Sequence, residues 1–217
     1  MDVLLTKKKI KRAIKNIINF PNIINNPVPI YSSYNSELDG IKLHLGPGEV
    51  NLQGWVNIDA RKESHIHLKK EGFLLESFSD GSIAEIYLCH VLEHFSFLEV
   101  ESMLQVFHSK LIPTGLVRVS VPDFDKIIEV YNKSKCDINS IIKILMGGQT
   151  YEYNFHKSMY NKKSLINVLT NNGFELIEEW SPKEVFGSSL GDFSDLSIKT
   201  KKGKVAISLN LIARKIK

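Results

Sequence analysis

Two stretches of this sequence bring reactive residue types close together. His90-Val91-Leu92-Glu93-His94 sets two imidazoles and a carboxylate within one short run, and His156 follows in the segment Tyr151-Glu152-Tyr153-Asn154-Phe155-His156-Lys157-Ser158-Met159-Tyr160, behind Gly147 and Gly148. An imidazole with an unperturbed pKa of about 6.5 is available as a neutral base near neutral pH. His156, His90, His94 and Asp123 are therefore candidate catalytic bases. The aromatic segment reads either as an acceptor-binding lid hinged at the glycines or as an ordinary packed loop; aromatic faces with polar edges suit a sugar ring. H-x-x-E-H is also the spacing of one class of zinc peptidases, which needs both histidines on one continuous helix. Here the motif directly follows the apolar run Ile83-Ala84-Glu85-Ile86-Tyr87-Leu88, and a capped helix starts only at Ser96, so the peptidase context is missing. His44, His65 and His108 lack a comparable setting and read as structural or solvent-facing.

A second constellation is Leu43-His44-Leu45-Gly46-Pro47-Gly48, an apolar strand entering a glycine turn, followed by Trp55-Val56-Asn57-Ile58-Asp59, a strand closing on an acid. In an open α/β sheet the carboxyl ends of the strands form the ligand crevice. Glycines let backbone approach the ligand there, and an acid ending the next strand can accept hydrogen bonds from ribose hydroxyls. The pattern suggests a nucleoside-containing cofactor.

These residues need a scaffold, and the chain supplies the pattern for one. From residue 41 short apolar runs separated by Gly, Pro, Asp and Asn alternate with helical periodicity, which predicts an α/β domain with a mostly parallel sheet. Strands are expected near 41–45, 55–58, 83–89, 116–121 and 174–180, with a short one near 65–68. Alternation over 205–213 predicts a sheet-edge or antiparallel strand, so the sheet should close with a reversed hairpin. The clearest helix starts at the capping box Ser96/Glu99, buries Phe97, Val100, Met103, Leu104, Phe107 and Leu111, and stops at Pro113 and Gly115. Further helices are expected over 123–132, 138–146 and 162–172, the last ended by Gly173.

With 217 residues, 43% hydrophobic and 24% charged, the chain can bury one core, and disorder or a repeat array is a poor reading. No stretch has the roughly 20 apolar residues of a membrane span, and the start lacks the pattern of a secretory signal. Two cysteines, Cys89 and Cys136, are too few for a disulfide framework, and a cytoplasmic setting is expected. Residues 1–20 carry six basic side chains against Asp2 alone, a net +5, which leaves the remainder near −1 out of the total +4. A nearly neutral body argues against nucleic-acid binding. Residues 6–20 read as a basic amphipathic helix, with Ile10, Ile14, Ile17 and Ile18 on one side, which either docks on the body or makes peripheral contact with the inner face of a membrane. The organisation expected is thus 1–40 as basic helix and connection, and 41–217 as the domain.

The motifs taken together, Leu43-His44-Leu45-Gly46-Pro47-Gly48, Gly54-Trp55-Val56-Asn57-Ile58-Asp59, Phe78-Ser79-Asp80-Gly81-Ser82, His90-Val91-Leu92-Glu93-His94, Val121-Pro122-Asp123, Gly147-Gly148-Gln149 and Asn154-Phe155-His156, resemble the class I S-adenosylmethionine-dependent methyltransferases. The likeness is to a bacterial branch associated with surface polysaccharides and small molecules, and it spans about 41–214. It implies a Rossmann-like class I methyltransferase fold and S-adenosylmethionine as cofactor. Gly46, Pro47 and Gly48 would face the methionine part, Asp59 and Ala60 the ribose, His67 and Leu68 the adenine, and the backbone of Cys89 and His90 the amino group. The acceptor it implies is a small molecule or glycan carrying a hydroxyl.

Two departures accompany the likeness. The turn carries Pro47 and lacks a third glycine, and Asp59 follows Gly46 so soon that the helix ordinarily found between them must be shortened or absent. The N-terminal helix is expected to cover part of the sheet left bare. His90-Val91-Leu92-Glu93-His94 also resembles the E-x-x-E-H of methyltransferases acting on RNA 3′ ends and quinone precursors, where it binds a divalent ion. His90 stands in place of the first acid, so S-adenosylmethionine without a metal is the favoured set, with a site at His90, Glu93, His94 and His156 as the alternative. A non-catalytic module of the same fold, recruiting a glycan-assembly complex, is the competing reading of the whole chain.

Overall fold

The computed structural model describes residues 30–31, 40–70, 75–186 and 191–216. Residues 6–20 lie outside them, and with them the expectation of an N-terminal helix docked on the sheet.

Among the described residues seven strands form the main sheet: β1 (Ile41–Leu45), β2 (Val56–Asp59), β3 (Leu68–Lys69), β4 (Ile83–Cys89), β5 (Leu111–Pro122), β6 (Phe174–Glu179) and β7 (Ser208–Lys215). Their order across the sheet is β3-β2-β1-β4-β5-β7-β6. Neighbours from β3 to β5 pair in parallel, while β7 runs antiparallel to both β5 and β6. β4 is buried along its whole length, as its unbroken apolar run requires of a central parallel strand covered on both faces. Its one charged residue, Glu85, is matched by Arg118 of β5, with Nε donating to Oε1 at 3.0 Å. Arg118 in turn lies 5.0 Å from the ring centre of Trp180.

Helices α1 (Phe97–Lys110), α2 (Phe124–Lys133), α3 (Ile142–Met146), α4 (Lys162–Asn171) and α5 (Pro182–Phe186) complete the frame. One core joins Leu43, Leu45, Ile86, Leu88, Val117 and Val119 of the sheet to Val100, Leu104 and Phe107 of α1 and Leu165 and Leu169 of α4. The opposite face is closed by aromatics: Trp55, Tyr87, Trp180 and Phe186 pack with Val50, Leu52 and Ile212. No helix stands between β1 and β2, as the short spacing anticipated. A turn and the two-residue strand Asn51–Leu52, paired in parallel with Ile30–Tyr31, fill the connection.

The structure corrects three sequence expectations. Phe97 is 61% exposed instead of buried in the helix stripe, whose buried side begins one turn later at Val100. Pro113 and Gly115 do not end α1, which stops at Lys110; they sit inside β5, where the pairing with β4 jumps from Ile83↔Leu111 to Glu85↔Leu116. The extra residues bulge out there, with Thr114 at φ +65, and a bulge tolerates a proline that has no N–H to give. The single strand expected over 205–213 is divided between β7 and the hairpin strand Gly203–Ala206, which pairs with Ser197–Thr200. The capping box of α1 and Gly173 at φ +84 beyond α4 follow the expected pattern.

β1 lies between β2 and β4, and the chain winds away from it in both directions. Such a reversal of strand order opens a crevice outside the carboxyl ends of the two diverging strands. Gly46 follows β1 there, and His90 follows β4.

Candidate functional site

The glycine turn is shaped by close approach. Gly46 has φ +61, donates its N–H to the Ile58 carbonyl at 2.8 Å, and would place a Cβ 2.5 Å from Val91 Cγ2, so only glycine fits. Pro47 is buried and its carbonyl accepts from Val50 N–H at 3.0 Å. Gly48, at φ +58, has no atom within 4 Å of where a Cβ would stand and opens onto free space. His65 braces the turn, its Nε2–H donating to the Gly48 carbonyl at 2.9 Å. The structural alternative expected for His65 is thus met, through a contact that nothing local in the sequence signals.

Asp59 closes β2 and is 7% exposed. Its Oδ1 accepts from Arg61 N–H at 2.8 Å and from Arg61 Nε at 3.3 Å, while Oδ2 has a longer contact of 3.4 Å with Arg61 Nη2. Ala60 follows, half-buried. His67 is engaged with β2: Asn57 N–H donates to its Nδ1 and its own N–H donates to the Asn57 carbonyl, both at 2.9 Å. Burial lowers the pKa of this ring, which accepts at Nδ1 as a neutral imidazole. Leu68 pairs with Ile58 in register. Cys89 ends β4 buried, and burial pushes its thiol well up, away from thiolate chemistry.

His90 leaves β4 at φ +52, a left-handed conformation uncommon for a residue with a side chain. That turn aims its ring back toward the short 3-10 helix Leu92–His94, where His90 Nδ1 lies 3.3 Å from Glu93 Oε1. Glu93 is fully buried, and neither carboxylate oxygen makes a hydrogen bond. Burial works against its charge, but the imidazoles of His90 and His94 outweigh it and hold the carboxyl below its ordinary range. His94 and His156 meet edge to face with ring centres 4.8 Å apart. One ligand atom from each of Glu93, His94 and His156 lies within 4.8 Å of the others. The pKa of His156 is lowered by burial, partly countered by Glu93.

Three of the four candidate bases thus converge, while Asp123 has separate work. It is the N-cap of α2, accepting from Asp125 N–H at 3.0 Å. The segment 147–158 is tightly closed at its start. Cβ atoms on Gly147 and Gly148 would lie 2.5 Å from the Asn154 carbonyl oxygen and 2.6 Å from its Nδ2, so these glycines let a compact turn fold onto Asn154. At the far end Lys157 and Ser158 N–H both donate to the Glu93 carbonyl, at 2.8 and 3.1 Å. Tyr151, Tyr153 and Phe155 are exposed, whereas Tyr160 at the end of the segment is buried in the core.

The strand order, with β7 slotted antiparallel between β5 and β6, decides the architecture. The chain has the class I methyltransferase fold. Among solved structures it is similar to a SAM-dependent methyltransferase from Methanosarcina mazei, at 17% identity and a TM-score of 0.54 over 84% of this chain and 95% of that one. It is also similar to the YcgJ protein of Bacillus subtilis, at 10% identity and a TM-score of 0.51 over 95% and 99%. No family model matches the sequence, and no curated protein matches it. At these identities the likeness speaks to the methyltransferase fold alone. No described helix is long and apolar enough to cross a membrane.

Proposed function

We propose that the protein is an S-adenosylmethionine-dependent methyltransferase that methylates a hydroxyl on a sugar or glycan intermediate. The observation that carries the proposal is the meeting, at the switch point of this fold, of the Gly46–Gly48 turn and the acid at the end of β2. The residues fit the donor. Gly48 leaves an open cradle for its methionine part, and Asp59 Oδ2, held only by a long contact to Arg61, retains lone pairs for a ribose hydroxyl. Leu68 and His67 would border the adenine, and the backbone at Cys89 and His90 the amino group.

When bound, S-adenosylmethionine supplies a methyl carbon activated by its sulfonium. The work left to the chain is to hold an acceptor oxygen in line at about 3–3.5 Å, exclude water and take up the hydroxyl proton. His90, His94 and His156 form the basic cluster for that proton, with His156 on the acceptor side because it comes from the aromatic segment. Exposed Tyr151, Tyr153 and Phe155 offer faces on which a sugar ring can stack. Mass spectrometry of surface glycans with and without the protein tests this: loss of a methyl mass increment in its absence supports the proposal, and identical glycans argue against it.

One observation favours a second reading, a non-catalytic module serving glycan assembly. Asp59 is already satisfied by Arg61 at Oδ1, as a site that no longer grips a ribose would be. Calorimetry separates the two, since a degenerate module should not take up the donor.

A further inference from the structure

The hairpin ahead of β7 carries charge that nothing else in the described structure answers. Its strands, Ser197–Thr200 and Gly203–Ala206, pair antiparallel with Val205 opposite Ile198 and Lys204 opposite Lys199. Successive side chains on a strand point to opposite faces. Val205 and Ile198 pack with Ile127 and Val130 of α2, so Lys199 and Lys204 share the outer face. Lys201 and Lys202 fill the two-residue loop, where hairpins ordinarily take Asn, Asp or Gly. All four lysines are exposed, residues 196–207 contain no Asp or Glu, and among the described residues no acidic side chain pairs with any of the four. Glu129 of α2 is already met by Lys126 and Lys133, at 3.1 and 2.7 Å.

Like charges directly opposite one another destabilise a strand pair, so Lys199 and Lys204 weaken the hairpin they sit on. Its tip is fixed all the same. Thr200 Oγ1–H donates to the Gly203 carbonyl at 2.8 Å, and Thr200 Oγ1 accepts from Lys202 N–H at 3.1 Å. A preorganised cationic surface of this kind is complementary to a polyanion. Its place in the fold is beside the candidate site. β7 starts at Ser208 opposite Pro122, the carboxyl end of β5, so the hairpin before it stands beyond the carboxyl ends of the parallel strands. Ser208 Oγ lies 3.0 Å from His90 Nε2, and the four residues back to Lys204 span at most about 14 Å.

We propose that this hairpin binds an acidic glycan, a chain bearing uronic-acid carboxylates, and so holds an extended acceptor whose end reaches the candidate site. The chemistry of the surface selects that occupant. Its outer face and loop offer Ser197, Ala206 and lysines, and no large apolar side chain that could enter a bilayer. Phosphate is ordinarily gripped by a helix N-terminus or by arginine forks, and the hairpin has neither. Ammonium groups on flexible stems suit single charges dispersed along a chain. The exposed Tyr151, Tyr153 and Phe155 supply faces for the uncharged parts of the sugars. The acceptor role rests on the methyltransferase reading; the anion-binding surface does not.

The test is fluorescence anisotropy of a fluorescein-labelled oligogalacturonate titrated with the full-length protein, with no methyl donor present. An uncharged glucan oligomer of equal length, inorganic polyphosphate, a DNA oligonucleotide and phosphatidylglycerol vesicles are offered in parallel. The oligogalacturonate should bind, and more weakly as salt rises, while the glucan should not. Lys199→Ala/Lys204→Ala and Lys201→Ala/Lys202→Ala should each weaken binding by at least about tenfold. The first pair should melt no lower than the wild type, since it removes the opposed charges, which separates lost binding from lost fold. No binding by the wild type, equal binding of the glucan, or tighter binding of polyphosphate, oligonucleotide or vesicles would overturn the proposal. So would unchanged affinity in both double variants, which would assign the anion to the basic residues 1–20. If Lys199→Ala/Lys204→Ala does not fold, the loop variant decides the matter. Because the readout needs no methyl donor, failure here is distinct from failure of the methyltransferase reading.

Discussion

Arg61 reaches back across two residues to Asp59 at the tip of β2, and its backbone N–H and Nε both point at Oδ1. The contact holds the carboxylate in place but leaves Oδ2 with only the 3.4 Å approach of Nη2. Arg61 is 40% exposed at its side chain, so solvent screens the pair and little energy is tied up in it. Arg61→Ala is therefore expected to change donor affinity by less than about threefold, read by calorimetry. A tenfold or greater gain would mean that Arg61 competes with the ribose for Asp59.

Gly46 and Gly48 share a left-handed backbone and differ in their surroundings. Gly46→Ala adds a clash with Val91 to the strain and should destabilise the fold by about 2–4 kcal/mol. Gly48→Ala meets nothing and should cost about 1 kcal/mol, while obstructing the open cradle and weakening donor binding. Denaturant melts of both variants, compared with donor titrations, check the contrast; equal destabilisation would contradict it.

His44 is buried against Tyr87, with ring centres 4.8 Å apart, and neither ring nitrogen makes a hydrogen bond. Burial holds its pKa down to about 4. The unfolded chain takes up this proton near pH 6.5 and the folded chain only near 4. The contribution of neutral His44 is therefore complete above about pH 6.5 and is lost as pH falls toward 4, amounting to about 3 kcal/mol. Chemical denaturation of wild type and His44→Phe between pH 7 and 4.5 measures it. The two should diverge in favour of the variant as pH falls, and parallel curves would refute the assignment.

His156→Ala should lower turnover by about 10²-fold or more and leave donor affinity nearly unchanged, since the ring stands with His94 and Glu93 and away from the glycine turn in sequence and contacts. A large loss of donor affinity would put His156 on the wrong side of the site.

Much of this was legible in the sequence where the determinants are local. The unbroken apolar run of β4, the Ser96/Glu99 capping box and the glycine after α4 each act within a few residues, and the elements formed as read. The acid at the end of β2 was found because strand alternation locates strand ends. What stayed hidden depends on contacts through space. His65 reaches Gly48 only because two separate stretches of chain lie side by side, and the exposure of Phe97 depends on where along α1 the packed face begins. The contact that holds His90 Nε2 comes from Ser208, itself bonded to the Phe193 carbonyl, from a strand and a 3-10 turn far along the chain. No spacing within His90-Val91-Leu92-Glu93-His94 encodes it.

The most direct measurement is a calorimetric titration of S-adenosylmethionine into the wild-type protein and Asp59→Ala. Saturable one-to-one binding by the wild type, abolished in the variant with its fold intact, is the predicted result. No heat of binding in the wild type, or equal affinity in both proteins, would contradict a donor site built on the glycine turn and the acid of β2.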